Sequence, residues 1–313
     1  MANKKSPSKA SPKAPAKKKQ SPAKLWIAGA RLRTLPLAIA PVLIGWGAAA
    51  SIQSFKAPLA ILALVVALAL QIGVNYANDY SDGIRGTDEF RVGPLRLTGS
   101  KSVRPELVKY VAFGFFGLAA IAGLAIVVIT GFWWLLAVGA AAIVAAWFYT
   151  GGKSPYGYSG LGEIAVFIFF GLVATMGTAF VQIGSFDANS LFGGAAVGLF
   201  ASAVLMINNI RDIAQDKLAG KRTLAVKVGK KWAMGYFFAM LWAPFIILLP
   251  FPYLYPATFF AWLALLFVLP ATLIAATAKT PRELILVLKL TSFAALTFGV
   301  FFGNGLAVVN FSL

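Results

Sequence analysis

Residues 57–82 read APLAILALVVALALQIGVNYANDYSD, an apolar run of membrane-spanning length that ends in a cluster of amides and carboxylates. A helix needs about 20 mainly apolar residues to cross a bilayer. Residues 190–216 read SLFGGAAVGLFASAVLMINNIRDIAQD and repeat this pattern in the second half of the chain. The pattern predicts a membrane protein whose helices carry polar clusters at one face of the bilayer.

The composition of the whole chain agrees with this interpretation. Its 313 residues are 59% hydrophobic and only 12% charged. Soluble domains carry about 25% charged residues, so this chain lacks the polar groups needed to cover a water-facing surface. Nine apolar runs predict an all-α bundle of nine transmembrane helices. They cover residues 26–53, 57–80, 107–129, 131–150, 162–184, 190–210, 232–251, 255–277 and 289–311.

Basic residues lie almost entirely on one side of the predicted bundle. Of 28 lysines and arginines, 27 fall on the side of the N-terminus, and Lys56 is the exception. Because basic loops stay in the cytoplasm, the N-terminus is predicted to be cytoplasmic. Nine spans then place the C-terminus on the opposite side.

Residues 1–24 form a predicted disordered basic tail, and residues 25–313 form the transmembrane domain. The tail holds eight lysines, no acid and no aromatic or branched apolar residue, so it cannot form a core. It fits two roles, a tether to anionic lipid headgroups or a solvated segment that fixes topology.

Helical spacing places the polar residues of each cluster on one helix face. Asn78 and Asp82 are four residues apart, and Asn208, Asp212 and Asp216 repeat every four residues. Carboxylates at membrane depth are costly unless they are paired or liganded, so two facing clusters predict cations between them. The alternative interpretation is a pair of solvated interfacial loops.

The chemistry of these clusters favours a magnesium-bound diphosphate. The chain has no cysteine and no histidine, which leaves oxygen ligands and a hard cation such as Mg²⁺. Mg²⁺ uses one or two carboxylates and takes its other ligands from water and phosphate oxygens. Bases within and after the clusters would complete a diphosphate clamp: Arg85, Arg211, Lys217, Lys221 and Arg222.

Four segments resemble the UbiA superfamily of membrane prenyltransferases over residues 25–303. They are ARLRTLPLAIAPVLIG (30–45), NDYSDGIRGTDEFRVGPLRLTGS (78–100), YTGGKSPYGYSGLGE (149–163) and NNIRDIAQDKLAGKRTLAVKVG (208–229). The second of these, with Gly86-Thr87-Asp88 and Gly93-Pro94, is similar to the branch that prenylates 1,4-dihydroxy-2-naphthoate in menaquinone synthesis.

The resemblance implies nine helices around a central cavity and Mg²⁺-dependent transfer of a polyprenyl group from polyprenyl diphosphate to an aromatic acceptor. In the naphthoate branch the product is demethylmenaquinone, formed with loss of CO₂ and diphosphate. Other aromatic acceptors of the superfamily stay open. The expected partners are these two substrates and membrane lipid, with no nucleic acid, and the expected location is the plasma membrane with the site facing the cytoplasm.

The resemblance also implies site residues. Asn78 and Asp82 match the first metal-diphosphate motif, and Asp212 and Asp216 match the second, which makes these four the expected metal ligands. Asp88 matches the distal acid of the first motif, either as a ligand or as a group acting on the acceptor. Asp82, Asp88, Asp212 and Asp216 are the expected catalytic residues. The expected substrate-binding residues are Asn78, Arg33, Arg85, Tyr149, Lys153, Asn208, Lys221 and Arg222.

Three of these residues have a second interpretation. Arg33 faces the cavity or anchors the first span at the interface. The Tyr149 ring stabilises an allylic cation or belongs to an aromatic interface belt. Lys153 binds an anionic substrate group or adds one more cytoplasmic charge.

Two other classes of protein share part of the pattern. A secondary transporter also combines many spans with rare buried charges, but its site lies near the bilayer midplane, whereas these acids cluster at one interface. A phospholipid-synthesising phosphotransferase would hold paired aspartates within one segment, whereas here the acids lie on distant helices.

Overall fold

The computed structural model describes residues 21–87 and 96–308, and this part of the chain is helical with no strands. The predicted all-α fold is therefore confirmed. Residues 1–20 of the predicted tail lie outside the described residues, as does Asp88. The first helix begins at Pro22, so the last residues of the predicted tail are helical.

The first apolar segment is a bent pair of helices, α1 (Pro22–Ala30) and α2 (Pro36–Ser51), with 49° between its two halves. Arg31 ends α1 in a left-handed conformation with φ 53°, and Pro36 starts α2. Both features favour a break, because left-handed backbone ends a helix and proline begins one. The bend brings Arg31 and Arg33 to the side of a large internal cavity.

Two long helices carry the polar clusters at their C-terminal ends. Helix α3 (Ala57–Ile84) packs mainly on α4 (Pro105–Thr130), and α8 (Ala188–Leu218) packs on α9 (Leu224–Leu248) and α12 (Pro281–Ala307). The remaining elements are α5 (Leu135–Phe148), α6 (Gly162–Val166), a π-helical segment (Phe167–Val173), α7 (Ala174–Ile183), α10 (Phe251–Leu254), α11 (Leu265–Thr277) and three 3₁₀ segments (Leu32–Thr34, Tyr156–Ser159 and Pro256–Ala264).

Within residues 21–87 and 96–308, seven helical segments are long and apolar enough to cross a membrane, and the bent pair makes eight. The predicted span at residues 131–150 corresponds to α5, which has only 14 residues. At 1.5 Å per residue it reaches about 21 Å, short of the roughly 30 Å hydrocarbon layer. The count of nine spans and the cytoplasmic N-terminus stay predictions.

Small residues allow the close approach of α2 and α12. A Cβ atom added to Gly47 would lie 2.0 Å from the carbonyl oxygen of Gly303, and one added to Gly299 would lie 2.7 Å from Ala40. Membrane helices associate through such small-residue contacts, because lipid offers no hydrophobic drive for helix pairing. This contact packs α2 on α12 in the half of the bundle that contains α8.

Candidate active site

The two polar clusters meet in one pocket of about 110 Å³. Besides Tyr149, which follows α5, six of the residues predicted from the sequence line it together: Asn78, Asp82, Asn208, Asp212, Asp216 and Lys221. They come from the ends of α3 and α8 and from the turn after α8, and all three carboxylates are buried. The helical spacing of each cluster thus directs both polar faces to the same place.

An apolar cavity of about 530 Å³ adjoins the polar pocket. It follows one face of α3 from Asn78 to Ala63, a length of about 22 Å at the helical rise. Its other walls include residues of α2, α4, α5, the π-helical segment, α7 and α8. Five residues line both spaces and mark their junction: Arg31, Asn78, Tyr149, Leu205 and Asn208.

Asp82 contacts three other described side chains of the polar pocket. The Tyr158 hydroxyl donates to its Oδ1 at 2.5 Å, and Lys221 Nζ lies 3.1 Å from the same oxygen. Arg96 lies 3.7 Å from Oδ2. Lys221 also lies 4.0 Å from Asp216, so a single ammonium group stands between carboxylates of the two clusters.

Asp212 is held by its neighbour in sequence. Arg211 Nε donates to Oδ1 at 2.7 Å and Nη2 donates to Oδ2 at 2.6 Å. The same guanidinium group donates to Asn208 Oδ1 at 2.9 Å. Arg211 thereby fixes the side chains of both residues in the second cluster.

A loop that belongs to neither cluster connects them through Tyr158. The Tyr158 hydroxyl donates a hydrogen bond to Asp82, and the Tyr158 carbonyl accepts one from the Arg222 backbone at 2.8 Å. Lys221 Nζ lies 4.4 Å from the centroid of the Tyr158 ring. Burial, followed by the charge of Asp82, raises the pKa of the Tyr158 hydroxyl. The hydroxyl therefore remains a hydrogen-bond donor at neutral pH.

Four other predicted residues lie in different surroundings. Arg33 lines the apolar cavity, and Tyr149 lines both spaces, as expected for residues facing the cavity. Lys153 and the Arg222 side chain are exposed and line neither space. The structure therefore places neither side chain in the polar pocket or the apolar cavity, and their predicted role in substrate binding stays a prediction.

Arg85 also lies outside both spaces. Its guanidinium group donates to the backbone carbonyls of Thr150 and Gly152, and the Thr150 hydroxyl donates to Asn78 Oδ1 at 2.7 Å. Arg85 thus ties the loop after α5 to the end of α3, and its substrate contact stays a prediction. Asp88 lies outside the described residues.

Eight further polar residues line the polar pocket without an assigned role in the sequence interpretation: Arg31, Thr87, Arg96, Thr150, Tyr158, Asn209, Gln215 and Thr223. Asp79 lies beside the pocket and accepts hydrogen bonds from the backbone of Leu97 and Thr98 at 2.9 and 2.8 Å. It anchors the segment that presents Arg96. The only sequence signal for these residues was their position inside the segments of family resemblance.

The donor set of the pocket suits Mg²⁺ in its chemistry. Among the described residues, no three acidic side chains gather into a preformed metal cage. Carboxylates and amides from two helices instead face one another across a pocket that holds Lys221 and Arg96. Mg²⁺ is usually bound in this way, by one or two carboxylates with phosphate oxygens and water as the other ligands.

Comparison with known proteins agrees with this architecture. The family model described as "UbiA prenyltransferase family" matches residues 38–284. A 1,4-dihydroxy-2-naphthoate octaprenyltransferase of Mycobacterium tuberculosis is 53% identical over 204 residues, which cover 65% of this chain and 70% of that protein. The protein with the same description in Haemophilus influenzae is 38% identical and covers 91% of this chain and 96% of its own.

Solved structures show the same fold at low sequence identity. A UbiA homologue from Aeropyrum pernix, in its apo form, has a TM-score of 0.67 and 18% identity, covering 87% of this chain and 97% of its own. A UbiA homologue from Archaeoglobus fulgidus bound to GPP and Mg²⁺ has a TM-score of 0.62 and 14% identity, covering 91% of this chain and 99% of its own. The sequence resemblance is confirmed, and the chain belongs to the UbiA prenyltransferase family.

Proposed function

We propose that this enzyme transfers a polyprenyl group from polyprenyl diphosphate to 1,4-dihydroxy-2-naphthoate, releasing diphosphate and CO₂ and giving demethylmenaquinol, which a separate two-electron oxidation converts to demethylmenaquinone. The observation that carries the proposal is the junction of the two spaces at Asn78, Tyr149 and Asn208. A polar pocket with buried carboxylates and cations meets an apolar cavity there. A prenyl diphosphate has this same division between an anionic head and an apolar chain.

The diphosphate head belongs in the polar pocket. Asn78, Asp82, Asp212 and Asp216 would hold Mg²⁺ there, and the metal would neutralise the charge that grows on diphosphate as it leaves. Lys221 and Arg96 already lie against Asp82 and supply further positive charge. The structure of the Archaeoglobus relative with GPP and Mg²⁺ supports this choice of cofactor and donor class.

The prenyl chain belongs in the apolar cavity along α3. Ionisation of its C–O bond gives diphosphate the electron pair and leaves an allylic cation at the junction. The ring of Tyr149 borders this position and can stabilise a cation through its face. Arg33 and Arg31 line the same cavity and offer charges complementary to the carboxylate of the acceptor.

The acceptor ring carbon attacks the allylic cation and forms the new C–C bond. Loss of the ring carboxylate as CO₂ returns its electron pair to the ring and restores aromaticity. A phenol proton that passes to Asp88 or to water during the attack returns to the ring oxygen after CO₂ has left, and the product is the quinol. The reaction takes place at the cytoplasmic face of the plasma membrane, in keeping with the basic residues on the N-terminal side.

The test is incubation of purified protein with Mg²⁺, a polyprenyl diphosphate and a panel of aromatic acids. Demethylmenaquinol is expected from 1,4-dihydroxy-2-naphthoate, detected as demethylmenaquinone after oxidation by air, together with stoichiometric diphosphate. Transfer to another acid alone would refute the naphthoate assignment while keeping the reaction class. Absence of diphosphate release with every acceptor would refute prenyl transfer.

A further inference from the structure

Glu163 is a buried carboxylate that the proposed chemistry leaves without a role. It lies at the start of α6 and is only 3% exposed. Among the described residues no lysine or arginine forms an ion pair with it, and its Oε2 atom has no hydrogen-bond partner. A buried carboxylate without a cation is costly, so its position calls for a functional reason.

In the described part of the chain, the one side chain hydrogen-bonded to this carboxylate is Asn209, whose Nδ2 donates to Glu163 Oε1 at 2.9 Å. Asn209 lines the polar pocket, whereas Glu163 does not. A carboxylate accepts hydrogen bonds and repels a carbonyl oxygen, so Glu163 selects one of the two orientations of the Asn209 amide. The amide nitrogen points to Glu163, and the carbonyl oxygen is the atom left for the pocket.

We propose that Glu163 is a positioning residue that holds the Asn209 carbonyl oxygen in the diphosphate pocket, where this oxygen serves as a ligand for the Mg²⁺–diphosphate complex. The inference rests on the proposed function of that pocket. An amide presents either a donor or an acceptor, and only its oxygen can bind a hard cation. Partners behind a ligand commonly fix its orientation in this way.

A second contact between the same two helices offers a matched control. The Ser202 hydroxyl donates to the Glu163 backbone carbonyl at 2.9 Å, away from the pocket. Ser202→Ala removes an α6–α8 hydrogen bond but leaves the carboxylate and the Asn209 amide in place. A purely structural role for the α6–α8 contact would therefore make Ser202→Ala and Glu163→Ala behave alike.

The experiment measures binding by calorimetry in detergent, with Mg²⁺ and a geranyl diphosphate analogue whose bridging oxygen is replaced by sulfur. Glu163→Ala and Asn209→Ala are each expected to weaken binding about 10- to 100-fold, and the double variant no further. Glu163→Gln, which keeps an acceptor oxygen, is expected to recover most of the affinity. Ser202→Ala is expected to bind as the unchanged protein does.

Three results would overturn the inference: unchanged binding in Glu163→Ala, losses that add in the double variant, or an equal loss in Ser202→Ala. Thermal unfolding without ligand is recorded for each variant, and a lower Tm with unchanged affinity counts against the proposal. If the unchanged protein fails to bind the analogue with Mg²⁺, the proposed function of the pocket fails instead.

Discussion

The Tyr158 hydroxyl donates a 2.5 Å hydrogen bond to the Asp82 carboxylate, across 76 positions of sequence. A hydrogen bond to a charged group contributes about 1.5–3 kcal/mol. This one orients a predicted metal ligand from a loop outside both clusters. Tyr158→Phe keeps the ring under Lys221 and removes only the donor.

Tyr158→Phe is therefore expected to lower kcat/KM by about 10- to 100-fold, since 1.4 kcal/mol corresponds to a factor of ten. Steady-state prenyl transfer measures the effect. Tyr156→Phe is the control, because the Tyr156 hydroxyl donates to the Ala145 carbonyl and touches no carboxylate. A loss in Tyr156→Phe as large as that in Tyr158→Phe would contradict a specific role for the Asp82 contact.

Tyr156 and Tyr158 also predict how the stability of the fold depends on pH. Burial raises the pKa of Tyr156 to about 12, and burial together with Asp82 raises the pKa of Tyr158. Tyrosine in an unfolded chain has a pKa of about 10. The neutral hydroxyls thus contribute fully to the stability of the fold below about pH 10. This contribution is lost as the pH rises through the pKa values that the two tyrosines have in the folded protein.

Absorbance of the phenolate group checks this expectation. In the folded protein a component of the titration should appear near pH 12, and Tyr156→Phe should remove part of it. If all the tyrosines ionise near pH 10 while the protein stays folded, the predicted burial of these hydroxyls is wrong.

Asp82→Ala and Asp212→Ala test the division of the site between α3 and α8. Each removes a carboxylate of one cluster, and each is expected to abolish turnover because the remaining cluster cannot hold the metal and diphosphate alone. Membrane content of each variant is measured by immunoblot as the control for folding. Near-normal turnover in either variant would refute the assignment of that cluster.

Lys221 and Arg222 are adjacent cations with different surroundings. Lys221 lines the pocket and contacts Asp82, whereas the Arg222 side chain is exposed. Lys221→Ala is expected to raise the KM for prenyl diphosphate about tenfold or more, and Arg222→Ala to leave it within about threefold, because exposed charges contribute little. Equal effects in the two variants would show that general positive charge, and not the pocket contact, sets affinity.

The surroundings of two glycines predict how their replacement by alanine changes the stability of the protein. Gly47→Ala places a methyl group on the Gly303 carbonyl and is expected to cost about 1–3 kcal/mol through overpacking. At Gly114 on α4 an added Cβ meets no atom within 4 Å, so Gly114→Ala is expected to be neutral or slightly stabilising. Thermal unfolding in detergent compares the two, and similar Tm values would contradict the close α2–α12 packing.

Periodicity made the centre of the pocket predictable from the sequence. Spacing alone places Asn78 and Asp82 on one helix face, and it does the same for Asn208, Asp212 and Asp216. The position of each cluster at a helix end is also visible in the local sequence. Their meeting required only that the two helices face each other. The all-α fold could be predicted from composition. A chain with so few charged residues is expected to lie in lipid, where its backbone polar groups must be hydrogen-bonded within helices.

Loop residues were not predictable because their positions depend on the path of the chain in three dimensions. Tyr158 reaches Asp82 only after the turn that follows α5, and Arg96 reaches it only because Asp79 anchors the backbone of Leu97 and Thr98. For Arg85, the sequence shows the charge but not its contacts. Its charge suggested an anion, and in the structure its guanidinium group donates to two backbone carbonyls.

The position of Lys221 between Asp82 and Asp216 has a consequence for binding. The chain carries its own counterion for the site, so the ligand-free carboxylates need no borrowed ion to offset their repulsion. A divalent cation arriving with diphosphate, as proposed, would displace this internal charge, and the displaced ammonium group would find a new anion in the incoming phosphate. Loading the site would then be an exchange of ion pairs with little net change in charge, which would suit a pocket at the predicted edge of the hydrocarbon layer.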